Sequence, residues 1–371
     1  MKKLYHPQKI KSRKAKIYLA NKIKINYNCD ALNLHFGSDD MVQRIQKWDI
    51  LKFILIFFVV FGHISEQYSG MGGLFIFIYS FHMPLFIFVS GLFSKRTINE
   101  KRYDKIFTYF VLYIFIKIII FFGNFVRHTP VRFNILYEGG VPWYAFAIFA
   151  FCLITVFLRK FDPKYVFVLS IALACFAGYD NSLTDFLVSS RIVVFYPFFY
   201  AGYVLDANTV AQKLNKKSIK ICSAVFIIGY IALLCLQYDN IRFLHPLLTG
   251  RNSFWVLEKL NEFGALFRFG YYVLVFLLGA AIISLIPNTL GKGTIAKLGA
   301  RSVQVYALHY FFIFLLYHNL RIDEWFESVF PVSAKILILP LTVIIMLICS
   351  SKYLTPIFDF ILKPKLKGKN R

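Results

Sequence analysis

Two histidines lie in consecutive apolar runs of the sequence, and their placement indicates chemistry inside a membrane. His63 lies near the end of the run that begins at Ile50, and His82 lies in the run that follows. A titratable side chain in hydrocarbon is costly, so it marks a functional site by default. An imidazole can take a proton from a hydroxyl group near neutral pH, or carry an acyl group itself. Glu66 follows His63 by three residues and shares its helix face, so we predict a catalytic cluster of His63, Glu66 and His82.

Lysine and arginine side chains elsewhere in the sequence suggest how two substrates would be bound from opposite sides of the membrane. Arg191 and Arg268 open later apolar runs near the predicted outer face, where they would bind the acceptor. Charge-assisted hydrogen bonds hold phosphates well, so the inner side offers candidates for binding a phosphate-rich donor. These candidates are Lys52, Lys95, Arg96, Lys101, Arg102 and His309. Snorkelling lysines, arginine anchors at the interface and a packing role for His309 remain the alternatives.

The composition explains which elements must position these residues. The chain has 371 residues, of which 58% are hydrophobic, and a formal net charge of +24. A soluble domain of this size would not bury so much apolar surface. The charge does not indicate nucleic-acid binding, because the Lys and Arg residues lie between apolar runs and at the termini. We therefore predict an all-α protein that spans the lipid bilayer many times.

About ten transmembrane helices are predicted from apolar runs of roughly 20 residues each. They lie near 50–67, 73–93, 106–123, 141–158, 164–179, 188–206, 219–237, 265–286, 303–319 and 335–355. With this count, 32 of the 43 Lys and Arg residues fall on the same side as the N-terminus and 7 on the other. This bias fits the positive-inside rule with both termini cytoplasmic. We expect residues 48–356 to form one membrane domain between basic tails at 1–47 and 357–371, in the plasma (inner) membrane.

The helical rise converts sequence position into depth. At about 1.5 Å per residue, His63 lies about 20 Å above the inner start of its helix. In a hydrocarbon core about 30 Å thick, that is roughly 10 Å below the outer surface. The same conversion places His82 roughly 14 Å below that surface, so the two histidines should meet at similar depth.

The cysteines and the N-terminus indicate neither a metal site nor a secretory signal. None of the six cysteines forms a Cys-x-x-Cys pair, and all but Cys29 fall in apolar runs. We therefore expect packing cysteines, with no metal site and no disulfide framework. Residues 1–47 carry many basic residues and no apolar core of the length that a signal peptide requires.

At these same residues the chain resembles the integral-membrane acyltransferases of the acyltransferase-3 type, and most closely the fucose 4-O-acetylase-like sugar O-acetyltransferases. The similar segments run in order from about residue 44 to 355. They are Trp48–Lys52, Val59–His63, Ser80–Gly91, Pro142–Trp143, Ser190–Gly202, Phe267–Arg268 and Leu298–His309. The family's essential histidine falls on His63. An arginine commonly stands eleven residues before it, where this chain has Lys52, which keeps the charge but lacks the bidentate fork.

The resemblance implies a ten-helix fold, acetyl-CoA as the donor and a sugar hydroxyl of a cell-envelope glycan or its lipid-linked precursor as the acceptor. His63 would be the general base or a transient acyl carrier, with Glu66 or His82 orienting it. Two alternatives remain. One is a transporter or flippase of an envelope glycan, although such folds usually carry internal repeats. The other is a non-enzymatic subunit of a polysaccharide-synthesis complex.

Overall fold

A computed structural model describes residues 46–126, 133–287, 293–330 and 334–362, which fold almost entirely into helices. The structure is 82% helical, and the described ranges contain no β-strand. An isolated antiparallel bridge joins Tyr137 to Phe186 in two loops. Only helices and closed barrels satisfy every backbone hydrogen bond in lipid. The predicted all-α fold is confirmed.

The helices follow one another closely along the chain. The α-helices are α1 Gln46–Ser65, α2 Gly72–Tyr79, α3 His82–Asn99, α4 Tyr103–Val126, α5 Trp143–Leu158, α6 Pro163–Phe176, α7 Ser189–Val204, α8 Ala207–Lys213, α9 Lys217–Ile241, α10 His245–Leu248, α11 Gly264–Leu285, α12 Thr294–Gly299, α13 Ser302–Ile313, α14 Ile322–Val329, α15 Ile338–Cys349 and α16 Thr355–Leu362. Short 3-10 turns join several of them, and a π-helical turn over Phe314–Asn319 extends α13.

Six helical segments are long and apolar enough to cross a membrane by length and composition. They are Gln46–Ser65, Gly72–Asn99, Tyr103–Asn124, Lys217–Leu248, Phe254–Leu285 and Lys335–Leu362. Two shorter apolar helices cover Trp143–Leu158 and Pro163–Tyr179. Each of the ten predicted spans overlaps a helix, but the count of ten and the cytoplasmic placement of the termini stay predictions. The chain is thus a helical protein with membrane-spanning segments.

The predicted tails fall largely outside the described residues. Residues 1–45 and 363–371 are among those not described, so both tails remain predictions. The described helices extend slightly into them, since α1 begins at Gln46 and α16 ends at Leu362.

Helix α1 lies at the centre of the packing. It contacts α3, α12, α13 and α15, and it is buried along most of its length. Near its start, Trp48 packs edge-on against Phe93 of α3. A helix that is enclosed on several sides holds its side chains in fixed directions. This enclosure positions the polar residues of α1 relative to α3 and α13.

Helices α3 and α7 make a close contact that depends on two glycines. A Cβ atom at Gly91 would overlap the backbone carbonyl of Phe199, and one at Gly202 would overlap that of Phe88. Small residues allow helix backbones to approach closely in membranes, where lipid tails are as apolar as leucine. The two glycines therefore fix α3, which begins at His82, against α7.

The cysteines are only partly the packing residues that we expected. Cys152, Cys175 and Cys349 are buried, whereas Cys222 and Cys235 are exposed on α9. The correction has a simple cause: α9 presents much of its apolar surface outward, toward lipid, as its exposed Ile228 and Leu236 do. Cys29 lies outside the described residues.

Candidate active site

The last turn of α1 brings His63 and Glu66 together. The imidazole Nδ1 of His63 lies 3.4 Å from the carboxylate Oε2 of Glu66. A carboxylate accepts only, so a neutral His63 donates from Nδ1 and keeps a lone pair on Nε2. The His63 side chain is 21% exposed and that of Glu66 34% exposed, so both can be reached from outside. The pair has the arrangement of a general base oriented by an acid.

Tyr79, at the end of α2, fixes the other oxygen of the same carboxylate. Its hydroxyl donates a hydrogen bond to Oε1 of Glu66. Its ring packs edge-on against His82, with 4.7 Å between the ring centroids. Tyr79 therefore connects the carboxylate beside His63 with the second predicted histidine.

His82 is the first residue of α3, and its ring is held in one orientation. It is 3% exposed, and its Nδ1 lies 2.7 Å from the carbonyl oxygen of Ile78. Since a carbonyl cannot donate, Nδ1 carries the proton and Nε2 carries the lone pair. The prediction that His82 lies near His63 agrees with this geometry, because Tyr79 contacts His82 and the carboxylate that pairs with His63. A part for His82 in catalysis stays a prediction.

His309 lies beside His63, and not near the inner basic loop where we expected it. The two imidazole rings are nearly parallel, with centroids 5.5 Å apart and an angle of 24°. His309 is on the third turn of α13, far enough along that helix to reach the depth of His63. Its Nδ1 faces the carbonyls of Val305 and Tyr306 at 2.9 Å each. This position places His309 next to the catalytic candidate His63, and its role in binding the donor stays a prediction.

One atom of His309 has no partner inside the protein. Its Nε2 is buried and has no hydrogen bond to any described residue. Because Nδ1 must donate to the carbonyls, Nε2 carries a lone pair, and no donor of the described residues uses it. Burying such an atom is costly unless a bound molecule supplies the hydrogen bond. This makes Nε2 of His309 a point where a substrate N–H or O–H group would bind.

Aromatic side chains border the cluster toward the predicted outer face. Phe75 of α2 stacks on Tyr79 with ring centroids 3.7 Å apart, and His245 of α10 packs on Phe75 at the same centroid distance. The ring of Tyr310 meets that of His63 edge-on at 5.4 Å. The polar groups therefore lie within an aromatic wall.

Arg191 is buried near this wall. Its guanidinium donates to the carbonyls of Glu138, at 3.4 Å, and Gly139, at 3.1 Å, and lies 5.0 Å from the ring centre of Trp143. Its Nε is buried without a partner. Arg191 also lies within electrostatic range of Tyr79. It retains a donor and a charge close to the cluster, as an acceptor-binding residue requires.

Arg268 is placed differently. It is fully buried in α11, and its Nη1 donates to the carbonyl of Leu247 at 2.9 Å. The rings of Phe254 and Tyr271 lie 5.7 and 5.9 Å from its guanidinium carbon. These contacts connect α11 with α10 and with the 3-10 turn at Phe254. They give Arg268 a role in holding the segment that carries His245, and no described contact connects it with His63.

Lys52 lies on the same face of α1 as His63, eleven residues earlier. Its ammonium pairs with Asp49 at 2.8 Å. Lys52, Ile56 and Val59 line a cavity of about 50 Å³ that also contacts Tyr144, Ser302 and Tyr306. Positions 52, 56, 59 and 63 repeat at intervals of three and four, so they form one stripe. The cavity therefore begins at Lys52 and follows α1 in the direction of His63.

The basic residues in the last turns of α3 and just after it have local partners. Lys95 donates to the carbonyl of Val204 at 3.0 Å, and Arg96 pairs with Glu100 at 3.1 Å. Arg102 lies 4.0 Å from Asp104, and Lys101 has a left-handed backbone that ends the helix. These contacts leave much of the charge exposed at one end of α3. Their predicted role with donor phosphates remains untested.

Tyr79 and Tyr306 are the residues that sequence reasoning missed. The hydroxyl of Tyr306 donates to the carbonyl of Val141 at 2.8 Å and closes one side of the Lys52 cavity. The chain has 23 tyrosines, so the residue type alone does not single out Tyr79 or Tyr306 as a site residue. Tyr79 lies three residues before His82, a spacing that predicts a shared helix face and was the only available signal. Among the described residues, no group of three or more His, Cys, Asp or Glu side chains is arranged to hold a metal ion.

The fold and this cluster define a helical membrane protein with titratable side chains held among its spans. A protein-family model described as an acyltransferase domain, of the acyltransferase-3 type, matches residues 45–351. The chain belongs to this acyltransferase family. The match includes every predicted site residue, from Lys52 to His309. No curated protein and no solved structure matches the chain at a significant level, so the branch of sugar O-acetyltransferases stays a prediction.

Proposed function

We propose that the protein transfers an acetyl group from acetyl-CoA to a sugar hydroxyl of a cell-envelope glycan or a lipid-linked glycan precursor. The observation that carries the proposal is the His63–Glu66 pair, in which Nδ1 of His63 faces a carboxylate and Nε2 keeps its lone pair. Membership of an acyltransferase family supplies the reaction class. The aromatic wall and Arg191 suit a sugar acceptor, because rings and buried donors recognise sugars.

In the direct reaction, the acceptor hydroxyl attacks the thioester carbonyl while Nε2 of His63 takes its proton. Glu66 stabilises the imidazolium that forms. The tetrahedral intermediate then expels the CoA thiolate, which receives the proton from His63. In the alternative, Nε2 of His63 attacks the thioester carbonyl and expels CoA as the thiolate, which takes up the Nδ1 proton through Glu66 and leaves acetyl-His63. The sugar hydroxyl then attacks the acetyl group, Nε2 leaves, and the hydroxyl proton returns to Nδ1 through Glu66. The same residues serve both routes.

The donor would approach along the α1 stripe. Lys52 stands at the start of the cavity, and the exposed cations after α3 are near the same end of the bundle by the predicted topology. The volume of the cavity, about 50 Å³, is smaller than that of a pantetheine arm. Entry of the donor therefore requires that aromatic lining residues such as Phe86 and Tyr109 move aside.

The test is acetyl transfer by the purified protein in lipid nanodiscs, with labelled acetyl-CoA and glycan from the host envelope. His63→Ala and His63→Gln should lower transfer by about 10²–10⁴-fold, the usual effect of losing a general base. His318→Gln is the matched control, because His318 packs against Phe314 outside the cluster. Near-normal transfer by His63→Ala would refute the mechanism.

The same preparation separates the remaining alternatives. Label that stays on the protein without acceptor, and is lost in His63→Ala, selects the acyl-histidine route. A second outcome supports the transporter hypothesis. In it, no glycan fraction contains a product that depends on acetyl-CoA, and the protein still moves glycan across the membrane. If neither activity is present and the chain co-purifies with glycan-synthesis proteins, the subunit hypothesis is the better one.

A further inference from the structure

A second and larger cavity lies on the side of α3 that faces α7 and α11, away from the Lys52 cavity. Its volume is about 290 Å³. Leu85 and Phe88 of α3, Phe198 of α7 and Phe276 of α11 contribute to its wall. We call it the α3–α11 cavity. Nothing in the acetyl-transfer reaction requires it, because none of the cluster residues lines it.

The chemistry of this wall is almost uniform. Twelve of its thirteen lining residues are apolar, and Lys213 is the one charged residue among them. Water in such a space would find few hydrogen-bond partners, so an apolar occupant is favoured. Helices α3 and α11 belong to membrane-length segments, which places the cavity at the depth of lipid acyl chains.

Lys213 stands at one end of the cavity. It is the last residue of α8, whose start is fixed by the side chain of Asp206, which accepts a hydrogen bond from the backbone N–H of Thr209 at 2.9 Å. Val210 and Leu214 turn into the cavity, while Lys213 is exposed. Within the described residues it forms no ion pair with a carboxylate. The helix therefore holds an exposed ammonium group at the edge of the apolar space.

We propose that the α3–α11 cavity is a binding site for an anionic membrane lipid, with an acyl chain between α3 and α11 and the phosphate on Lys213. Basic pockets between transmembrane helices bind anionic headgroups in this way. A soluble phosphate compound would use Lys213 but would leave the apolar space unfilled, so a lipid fits both parts.

The position also suggests what the lipid does for the fold. Leu85 lies one turn after His82, and a Cβ atom at Gly279 of α11 would meet Leu85 at 3.4 Å. The two helices therefore touch where Leu85 and Gly279 form part of the cavity wall. A bound acyl chain fills the gap and stabilises α3 against α11 from the side opposite the histidines.

Native mass spectrometry of the purified full chain tests the site. The probes are phosphatidylglycerol, which is anionic, and phosphatidylcholine with the same acyl chains. Phosphatidylglycerol should be retained at least about tenfold more than phosphatidylcholine, as expected when one charge contact contributes about 1.4 kcal/mol. Lys213→Gln should bring the two lipids to equal retention, and Ala280→Phe, which fills the cavity, should remove both.

Two matched variants complete the experiment. Gly270→Phe adds the same bulk to α11 at a position where a Cβ atom meets nothing within 4 Å. Lys216→Gln removes a neighbouring charge that does not line the cavity. Both should retain phosphatidylglycerol like the parent. Equal retention of the two lipids by the parent, an unchanged ratio in Lys213→Gln, or displacement by inorganic phosphate alone would overturn the proposal. Because Lys213 is exposed, Lys213→Gln should fold even if Ala280→Phe does not.

Discussion

Replacing Glu66 by glutamine isolates the electrostatic part of the proposed mechanism. The change keeps the size and most of the polarity of the side chain, but removes the negative charge 3.4 Å from Nδ1 of His63. When His63 takes a proton, that charge stabilises the imidazolium. At 3.4 Å the attraction is about 1 kcal/mol in bulk water and about 5 kcal/mol at an effective dielectric constant of 20.

The exposure of the two side chains, 21% and 34%, favours the lower half of this range. Since each 1.36 kcal/mol changes a rate tenfold, Glu66→Gln should lower kcat by roughly 10- to 10²-fold. This is a smaller loss than His63→Ala should give. The KM for acetyl-CoA should change little, because the contact matters most when His63 is charged.

The split between kcat and KM distinguishes this mechanism from simple damage to the fold. Loss of the charge should lower kcat, while the yield of folded, membrane-inserted protein and the KM for acetyl-CoA stay unchanged. Gln67→Ala is the control, since within the described residues the Gln67 side chain donates one hydrogen bond, to the backbone carbonyl of His63 at 3.4 Å. Full activity in Glu66→Gln, or a rise in the KM for acetyl-CoA as large as the fall in kcat, would refute the reasoning.

Three further predictions test the surroundings of the pair. Tyr79→Phe removes the hydroxyl that holds Glu66 and should lower kcat by about tenfold, the effect of one lost hydrogen bond to a charged group, while acetyl-CoA KM stays constant in the same transfer assay. Val59→Trp should block the Lys52 cavity and raise acetyl-CoA KM at least tenfold, which unchanged donor kinetics would contradict. Gly202→Val should lower the free energy of unfolding by at least 1–3 kcal/mol, measured as thermal unfolding in detergent, whereas Gly229→Val, with open space around it, should not.

The helical membrane fold and the pairing of His63 with Glu66 could be predicted because both depend on local rules. Long apolar runs must become helices in lipid, and residues three apart share a helix face. The equal depth of His63 and His82 stays a prediction, although Tyr79 contacts both His82 and the carboxylate that pairs with His63. These arguments need no knowledge of which helices are neighbours.

The placement of His309 and Arg268 depends on packing between distant segments, and this is where sequence reasoning was insufficient. His309 reaches His63 because α13 packs directly on α1, a contact across more than 200 residues of sequence. Arg268 opens an apolar run, but its enclosure by Phe254 and Tyr271, which reach it from a 3-10 turn and from its own helix, could not be read from that position. Its role in binding the acceptor stays a prediction.

Under the proposed function, the arrangement on α1 would let one helix serve two substrates that arrive from opposite sides. Lys52 and the cavity occupy the first half of a single stripe, and His63 occupies its end, with Glu66 beyond the last turn. A donor that follows the stripe would reach Nε2 of His63 from below, whereas an acceptor that passes Phe75 and His245 would reach it from above. The unpartnered Nε2 of His309 lies beside this meeting point. Its position suggests that it accepts a hydrogen bond from whichever substrate is bound, which would place the reacting groups against His63 and not against His82.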